Sequence, residues 1–236
     1  MFSNNHIESV HIDKIIFQNN TPFHHIVLDR FVEGPIDKVV SEVNLIPNSD
    51  YDFNEHAQVQ IKKRGLSSVE KMPETTQKLV AFFQSREMIE YLENLTGIKD
   101  LLPDPSLLGG GVHKTDTGGH LAIHADFNIH PHTGLHRRLN LLLFLNPKWK
   151  EEWGGHLELW DNEMTRCVKV VSPILNRAVI FRITDDAYHG HPDPLKTPKD
   201  ISRYSLAFYY YTLDRPEHEK GPFHWATWQL RPSGHF

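Results

Sequence analysis

The chain has 236 residues, of which 39% are hydrophobic and 23% charged, with a formal net charge of -5 at pH 7; that length suffices to bury one sizeable core without a second unit. The acidic balance offers no footprint for phosphates, which argues against a nucleic-acid partner. Residues 1–17 lack the apolar core of a signal peptide, and no apolar run approaches the ~20 residues of a membrane span. The single cysteine, Cys167, excludes an internal disulfide and fits a reducing compartment, so a cytoplasmic location without membrane attachment is expected. The 17 histidines raise the expectation of a metal site without locating it.

In chain order, residues 15–17 and 25–28 read as short strands, and 35–43 carries helical spacing behind a proline. The polar stretch 48–71 reads as an irregular flap. One longer helix is expected over 74–96, with Leu79, Val80, Phe82, Phe83, Met88, Ile89, Tyr91 and Leu92 as its apolar stripe and Gly97 just past its end. From 107 to 213 the texture changes to short β-type runs at 111–114, 120–124, 137–145, 156–159, 167–171, 178–182 and 203–212. Turns are expected at 117–119, 153–155 and 176–177. Strands at this spacing with no intervening helix argue for a sandwich or barrel. The aromatic, proline- and histidine-rich tail after Thr212 is expected to wrap the outside.

The central motif is His124-Ala125-Asp126, directly after a strand-like run. Side chains two apart on a strand share a face, so an imidazole and a carboxylate can reach one ion from a single rigid element. A second, distant histidine would complete the two-histidine, one-carboxylate triad of non-haem iron(II) oxygenases. Alone, His-x-Asp is a weak signal in a histidine-rich chain. Downstream, Arg203 and Ser205 are also two apart, so a guanidinium and a hydroxyl can point together into a barrel. A buried arginine needs an anion, and a dicarboxylate held at its far end would supply one; a salt bridge from Arg203 to Asp185 or Asp186 is the alternative.

Five ordered blocks carry a resemblance: 118–127 (GGHLAIHADF), 137–146 (RRLNLLLFLN), 153–159 (WGGHLEL), 188–192 (YHGHP) and 203–206 (RYSL). Together they make residues from about 109 to 212 similar to the 2-oxoglutarate and iron(II) dioxygenase superfamily, in its prolyl-hydroxylase-like branch. The resemblance implies a mainly β fold with flanking α-helices, a double-stranded β-helix (jelly roll). On that basis one domain spans 1–236, with an N-terminal α/β extension at 1–103, a jelly-roll core at 104–213 and a tail at 214–236. It further implies Fe(II) held by His124, Asp126 and His189, with 2-oxoglutarate as co-substrate anchored by Arg203. The same resemblance implies O2 as the oxidant and ascorbate as an accessory reductant.

Periodicity does not choose between His189 and His191, which would share a face. Gly190 after the former and Pro192 after the latter favour His189 as the ligand, and the resemblance points the same way. Around the co-substrate, Ser205 is a candidate contact, although strand serines often bond only to backbone. Asn140 either satisfies a backbone group or faces the site. His113 stands where relatives have a tyrosine, and Phe144 stands where many carry a tyrosine hydroxyl on the co-substrate. His130, His132 and His136 read as solvated rim residues rather than a zinc site, and Trp149, Trp153 and Tyr209-Tyr210-Tyr211 as packing.

The implied reaction is hydroxylation of an unactivated C–H bond, with succinate and CO2 as co-products. The substrate would be a prolyl residue of a peptide or protein, or a proline-like small molecule. A cupin-like metal-dependent isomerase and a non-catalytic jelly-roll binding module are the rival classes. The isomerase would not require Arg203 and Ser205 together, and retention of all the iron ligands argues against the binding module.

Overall fold

The computed structural model describes residues 4–52, 55, 56 and 58–236. The chain opens with helix α1 (Asn4–Asn19), so the strand expected at 15–17 is instead the last turn of a helix. Val10, Asp13 and Phe17 are buried while Ile12, Ile15 and Ile16 are exposed, a spacing of three and four that defines a helical face. The β-branched pair Ile15-Ile16 lies on the solvent side, where its strand preference is outweighed by the packing of Phe17.

Strand β1 (His25–Leu28) and helix α2 (Ile36–Asn44) follow as expected. The presumed flap, of which residues 53, 54 and 57 lie outside the described residues, contains strand β2 (Gln60–Leu66). The single helix expected over 74–96 is two, α3 (Glu74–Phe83) and α4 (Arg86–Thr96). The apolar stripe runs across the break, but Ser85 caps α4 by accepting a hydrogen bond from the Met88 N–H, as an N-cap serine does. Gly97 ends α4 in the left-handed conformation, as expected.

The sheet runs through the short β3 (Leu102–Pro103), β4 (Gly111–Ala125), β5 (His136–Phe144), β6 (Leu157–Trp160), β7 (Cys167–Val171), β8 (Ala178–Arg182), β9 (His189–His191), β10 (Arg203–Thr212) and β11 (Thr227–Trp228). The strand order is β1-β8-β5-β10-β4-β9-β6-β7, every pairing antiparallel, with β2 and β11 also on β4 and β3 on β10. The turn expected at 117–119 is an outward bulge within one continuous β4, because β2 pairs on both sides of it, Ile61 with His120 and Lys63 with Thr115.

Strand β4 is shared by the two halves of this sheet. Its first half lies between β2 and β10, and its second half between β11 and β9. The sheet therefore folds over on itself as a jelly roll, with the functional cavity between its two halves. Strand β10 shows how the layers divide: Tyr204, Leu206, Phe208 and Tyr210 join the core shared with the helices, while Ala207, Tyr209 and Tyr211 face the other way. All ten of its residues are buried because helices cover one face and the second sheet the other. Phe208 stacks on Phe83 of α3 at 4.4 Å, and the Tyr210 hydroxyl donates to the Phe83 carbonyl at 2.9 Å. A second core, including Phe144, Leu157, Leu159, Val179 and Phe181, fills the space between the sheets.

Candidate metal centre and co-substrate pocket

His124 and Asp126 sit at the open end of β4, and His189 on β9 lies directly across from His124 in the register. One ligand-type atom from each of the three falls within 4.8 Å of the others. The Nε2 atoms of His124 and His189 stand 3.6 and 3.5 Å from the Asp126 carboxylate oxygens. Each imidazole is oriented by the same device: Nδ1 lies 2.9 Å from the carbonyl oxygen two residues earlier, Ala122 for His124 and Ala187 for His189. A carbonyl only accepts, so Nδ1 carries the proton and each Nε2 lone pair faces the centre, the arrangement that a metal-ligating histidine needs. Burial and then the neighbouring His124 lower the His189 pKa to about 4, which keeps that ring neutral. Three such donors fit a divalent first-row metal with adjacent open positions.

His189 is therefore the histidine brought to the centre, although not for the reason of a turn at Gly190. That glycine lies within β9, and a Cβ there would come within 2.7 Å of the Ala122 carbonyl oxygen and 2.8 Å of that of Leu121. What it provides is close approach of β9 to β4. His191 is buried two residues on, paired with Leu121, and both of its ring nitrogens are without a hydrogen-bond partner among the described residues.

Arg137 escaped the sequence reading as a site residue. Its Nη2 donates to Asp126 Oδ2 at 3.1 Å, and Asn140 Nδ2 donates to the same oxygen at 2.6 Å. Asn140 Oδ1 in turn accepts from Arg137 Nε and Nη2 at 3.0 and 2.7 Å. The guanidinium lies between the rings of Tyr209, 3.5 Å away, and Phe127, 4.6 Å away. Burial raises the Asp126 pKa, but Arg137 and the two imidazoles more than offset it and leave the carboxyl well below its ordinary range. Asn140 faces the site as a support of Asp126. Positions 137 and 140 should lie on opposite faces of a strand, but the pairing jumps from Tyr210 with Leu139 to Tyr211 with Arg137. Arg138 is the extra residue of a bulge, which carries Arg137 to the inner face.

The triad opens into a cavity of about 200 Å3 whose walls include Lys63, His113, Arg203, Ser205, Tyr209 and Trp228. Arg203 is buried, and no carboxylate among the described residues pairs with it; Asp185 bonds His224 and Asp186 bonds Thr184 instead. Its Nε donates to the Gly155 carbonyl at 2.7 Å and its guanidinium lies over the Phe144 ring at 4.9 Å, so it is held while its outer nitrogens remain available. Burial lowers its pKa to about 9. Gly155 has φ +67°, and a Cβ there would meet Leu195 at 2.4 Å, so the turn that supplies this carbonyl requires glycine. Ser205 pairs with His113 on one side and Phe144 on the other, placing all three in one row. His113 lines the cavity and its Nε2 lies 2.9 Å from the Gly109 carbonyl.

Three other expectations change. Tyr209 lines the cavity as well as packing against Arg137. The tail does not stay outside: Trp228 pairs with His124 through β11, its ring is 4.9 Å from that imidazole, and it forms part of the cavity wall. His130 is buried rather than solvated, 3.7 Å from Asp104, with Nδ1 accepting from the backbone N–H groups of His132 and Thr133, so it braces its own turn. Trp149 and Trp153 pack edge to face at 5.3 Å, as expected.

A jelly roll carrying a two-histidine, one-carboxylate centre is the arrangement found in non-haem iron(II) oxygenases. Residues 110–211 match the model of the 2OG-Fe(II) oxygenase superfamily. It is 30% identical over 86 residues to prolyl 3-hydroxylase OGFOD1 of Mus musculus, a match that takes in 34% of this chain and spans only 15% of that relative's length. The fold resembles that of a Trichoplax adhaerens prolyl hydroxylase solved with a hypoxia inducible factor peptide fragment (TM-score 0.61, 17% identity, covering 89% of this chain and 93% of the other). It also resembles HygX of Streptomyces hygroscopicus, solved with nickel, 2-oxoglutarate and hygromycin B (TM-score 0.52, 13% identity, 80% and 82%). No described helix is long and apolar enough to cross a membrane.

Proposed function

We propose that the protein is an Fe(II)- and 2-oxoglutarate-dependent hydroxylase of a prolyl residue in a peptide or protein. The observation that carries this is the pairing, in one cavity, of a converged His124, Asp126 and His189 with a buried arginine that lacks a carboxylate. A cupin-like isomerase would need the first feature and not the second, and a non-catalytic binding module would need neither. Bound iron and 2-oxoglutarate would supply the oxidising power for an unactivated C–H bond, with succinate and CO2 as co-products.

The chain's own residues do the rest. His124, Asp126 and His189 hold the metal on one side, and Arg203, with Ser205 beside it in the sheet, takes the distal carboxylate of the co-substrate. Arg137 and Asn140 hold Asp126 as a carboxylate, and Tyr209, Leu142 and Leu157 keep the cavity apolar and dry. Trp228 and Phe127 add aromatic surface to the cavity wall, of a kind suited to packing against an apolar ring.

Incubation with Fe(II), 2-oxoglutarate, ascorbate and O2 is expected to yield succinate, stimulated by proline-containing peptides that gain one oxygen atom on the proline. Succinate formation stimulated by small proline-like molecules and not by peptides would replace the substrate class. An absence of 2-oxoglutarate-dependent turnover under any of these conditions would overturn the proposal.

A further inference from the structure

The cavity wall holds a further buried cation. Lys63 is 5% exposed and lines the same cavity as Arg203. It enters through a bulge: Lys62 has φ +48°, and the register of β2 on β4 shifts between Ile61 and Lys63. Lys62 is turned outward, where its Nζ donates to the Thr117 carbonyl at 3.2 Å, and Lys63 is turned in.

The register then places Lys63 relative to Arg203. Lys63 is opposite Thr115 on β4, and Thr115 is opposite Arg203 on β10. Residues paired across adjacent strands point to the same face, so the two cations flank Thr115 in one row, with backbones two strand spacings or roughly 10 Å apart. The next row inward is Gly65, His113 and Ser205, and Gly65 adds no side chain beside Lys63. Two long cationic side chains thus rise from either side of a small residue toward the same space. The imidazole of His191, with both nitrogens unpartnered among the described residues, lines it as well.

Burial first, and then the charge of Arg203, lower the Lys63 pKa to about 7, with Asp126 acting in the opposite sense. Asp126 is already engaged by Arg137 and Asn140. An anion entering between two cationic side chains that face one cavity would interact with both.

We propose that Lys63 is a second anchor for the distal carboxylate of 2-oxoglutarate, reaching it from β2 while Arg203 holds it from β10. This rests on the oxygenase function proposed above. The co-substrate pocket would then extend beyond residues 110–211 matched by the family model to a strand from the N-terminal extension.

The test is anaerobic titration of the Fe(II)-loaded full chain with 2-oxoglutarate and, separately, with 2-oxobutyrate, which keeps the chelating 2-oxo acid but lacks the distal carboxylate. Binding is read by charge-transfer absorption and by calorimetry. Wild type should bind 2-oxoglutarate far more tightly than 2-oxobutyrate. Lys63→Met should weaken 2-oxoglutarate binding by about 10- to 100-fold and leave 2-oxobutyrate unchanged, the scale expected when one member of a buried charge-assisted contact is removed. Lys63→Gln guards against a folding defect in the methionine variant and should behave alike, Lys63→Arg should retain most of the affinity, and Lys62→Met should match wild type. Tight 2-oxoglutarate binding unchanged in both neutral Lys63 variants would overturn this proposal alone. Equal binding of the two acids by wild type, or binding of neither, would overturn the oxygenase reading and this proposal with it.

Discussion

Asp126 works as a ligand only because its charge is both preserved and aimed. Oδ2 takes hydrogen bonds from Arg137 and Asn140, while Oδ1 faces the Nε2 of His124. Arg137→Met should therefore weaken Mn(II) or Fe(II) binding by about 10- to 100-fold, the usual scale for loss of a group that orients a ligand; calorimetric titration showing wild-type affinity would refute this role. His189→Ala should abolish high-affinity metal binding and His191→Ala should preserve it, since only the former ring is aimed at the centre. At this scale the sequence exposed some residues and hid others for one physical reason. His124, Asp126, Arg203 and Ser205 obey the period of two and were legible. Arg137 and Lys63 reach the interior through bulges, which invert that period and leave no trace in residue spacing.

Elements were legible where a local apolar run marks a strand buried on both faces, as in β5, β8 and β10, and misread where a tertiary partner decides. The polar β2 reads as a flap because only its pairing with β4 makes it a strand, and Trp228 enters the site through a two-residue strand that no local pattern announces. The Ser85 cap that divides α3 from α4 was visible as a residue type but lay inside a continuous apolar stripe. Strand β9 is the element on which the metal centre depends most, with three residues wedged between β4 and β6. Gly190→Ala would drive a methyl group into the Leu121 and Ala122 carbonyls and force β9 away from β4, carrying His189 with it. The expected cost is about 1–3 kcal/mol of stability together with a measurable loss of metal affinity. Urea denaturation matching wild type, with unchanged metal titration, would show that β9 can shift without consequence.

Across the whole molecule, the cavity concentrates groups that folding makes harder to protonate, and this sets how stability should vary with pH before any anion binds. Lys63 has a folded pKa of about 7 against 10.5 when unfolded, and Arg203 a folded pKa of about 9, well below its unfolded value. Between each pair of values the unfolded chain holds more protons than the folded one, so stability rises with pH there. The destabilisation from Lys63 is complete below about pH 7 and is relieved as pH climbs toward 10.5. His113, whose pKa burial and Lys63 hold well below 6.5, adds a loss on the acid side of neutrality in the same sense. Opposing them, the buried Tyr204 and Tyr209 have pKa values raised to about 12, so above pH 10 their ionisation favours the unfolded chain. The metal- and ligand-free protein is therefore expected to melt at its highest temperature on the alkaline side of neutrality, roughly between pH 8 and 10. Lys63→Met should flatten the rise between pH 7 and 10, because it removes the group whose deprotonation produces most of it. Thermal melts of both proteins across that range, at constant ionic strength, decide the matter: parallel curves would mean that Lys63 keeps an ordinary pKa and that the cavity accommodates its charge without an anion.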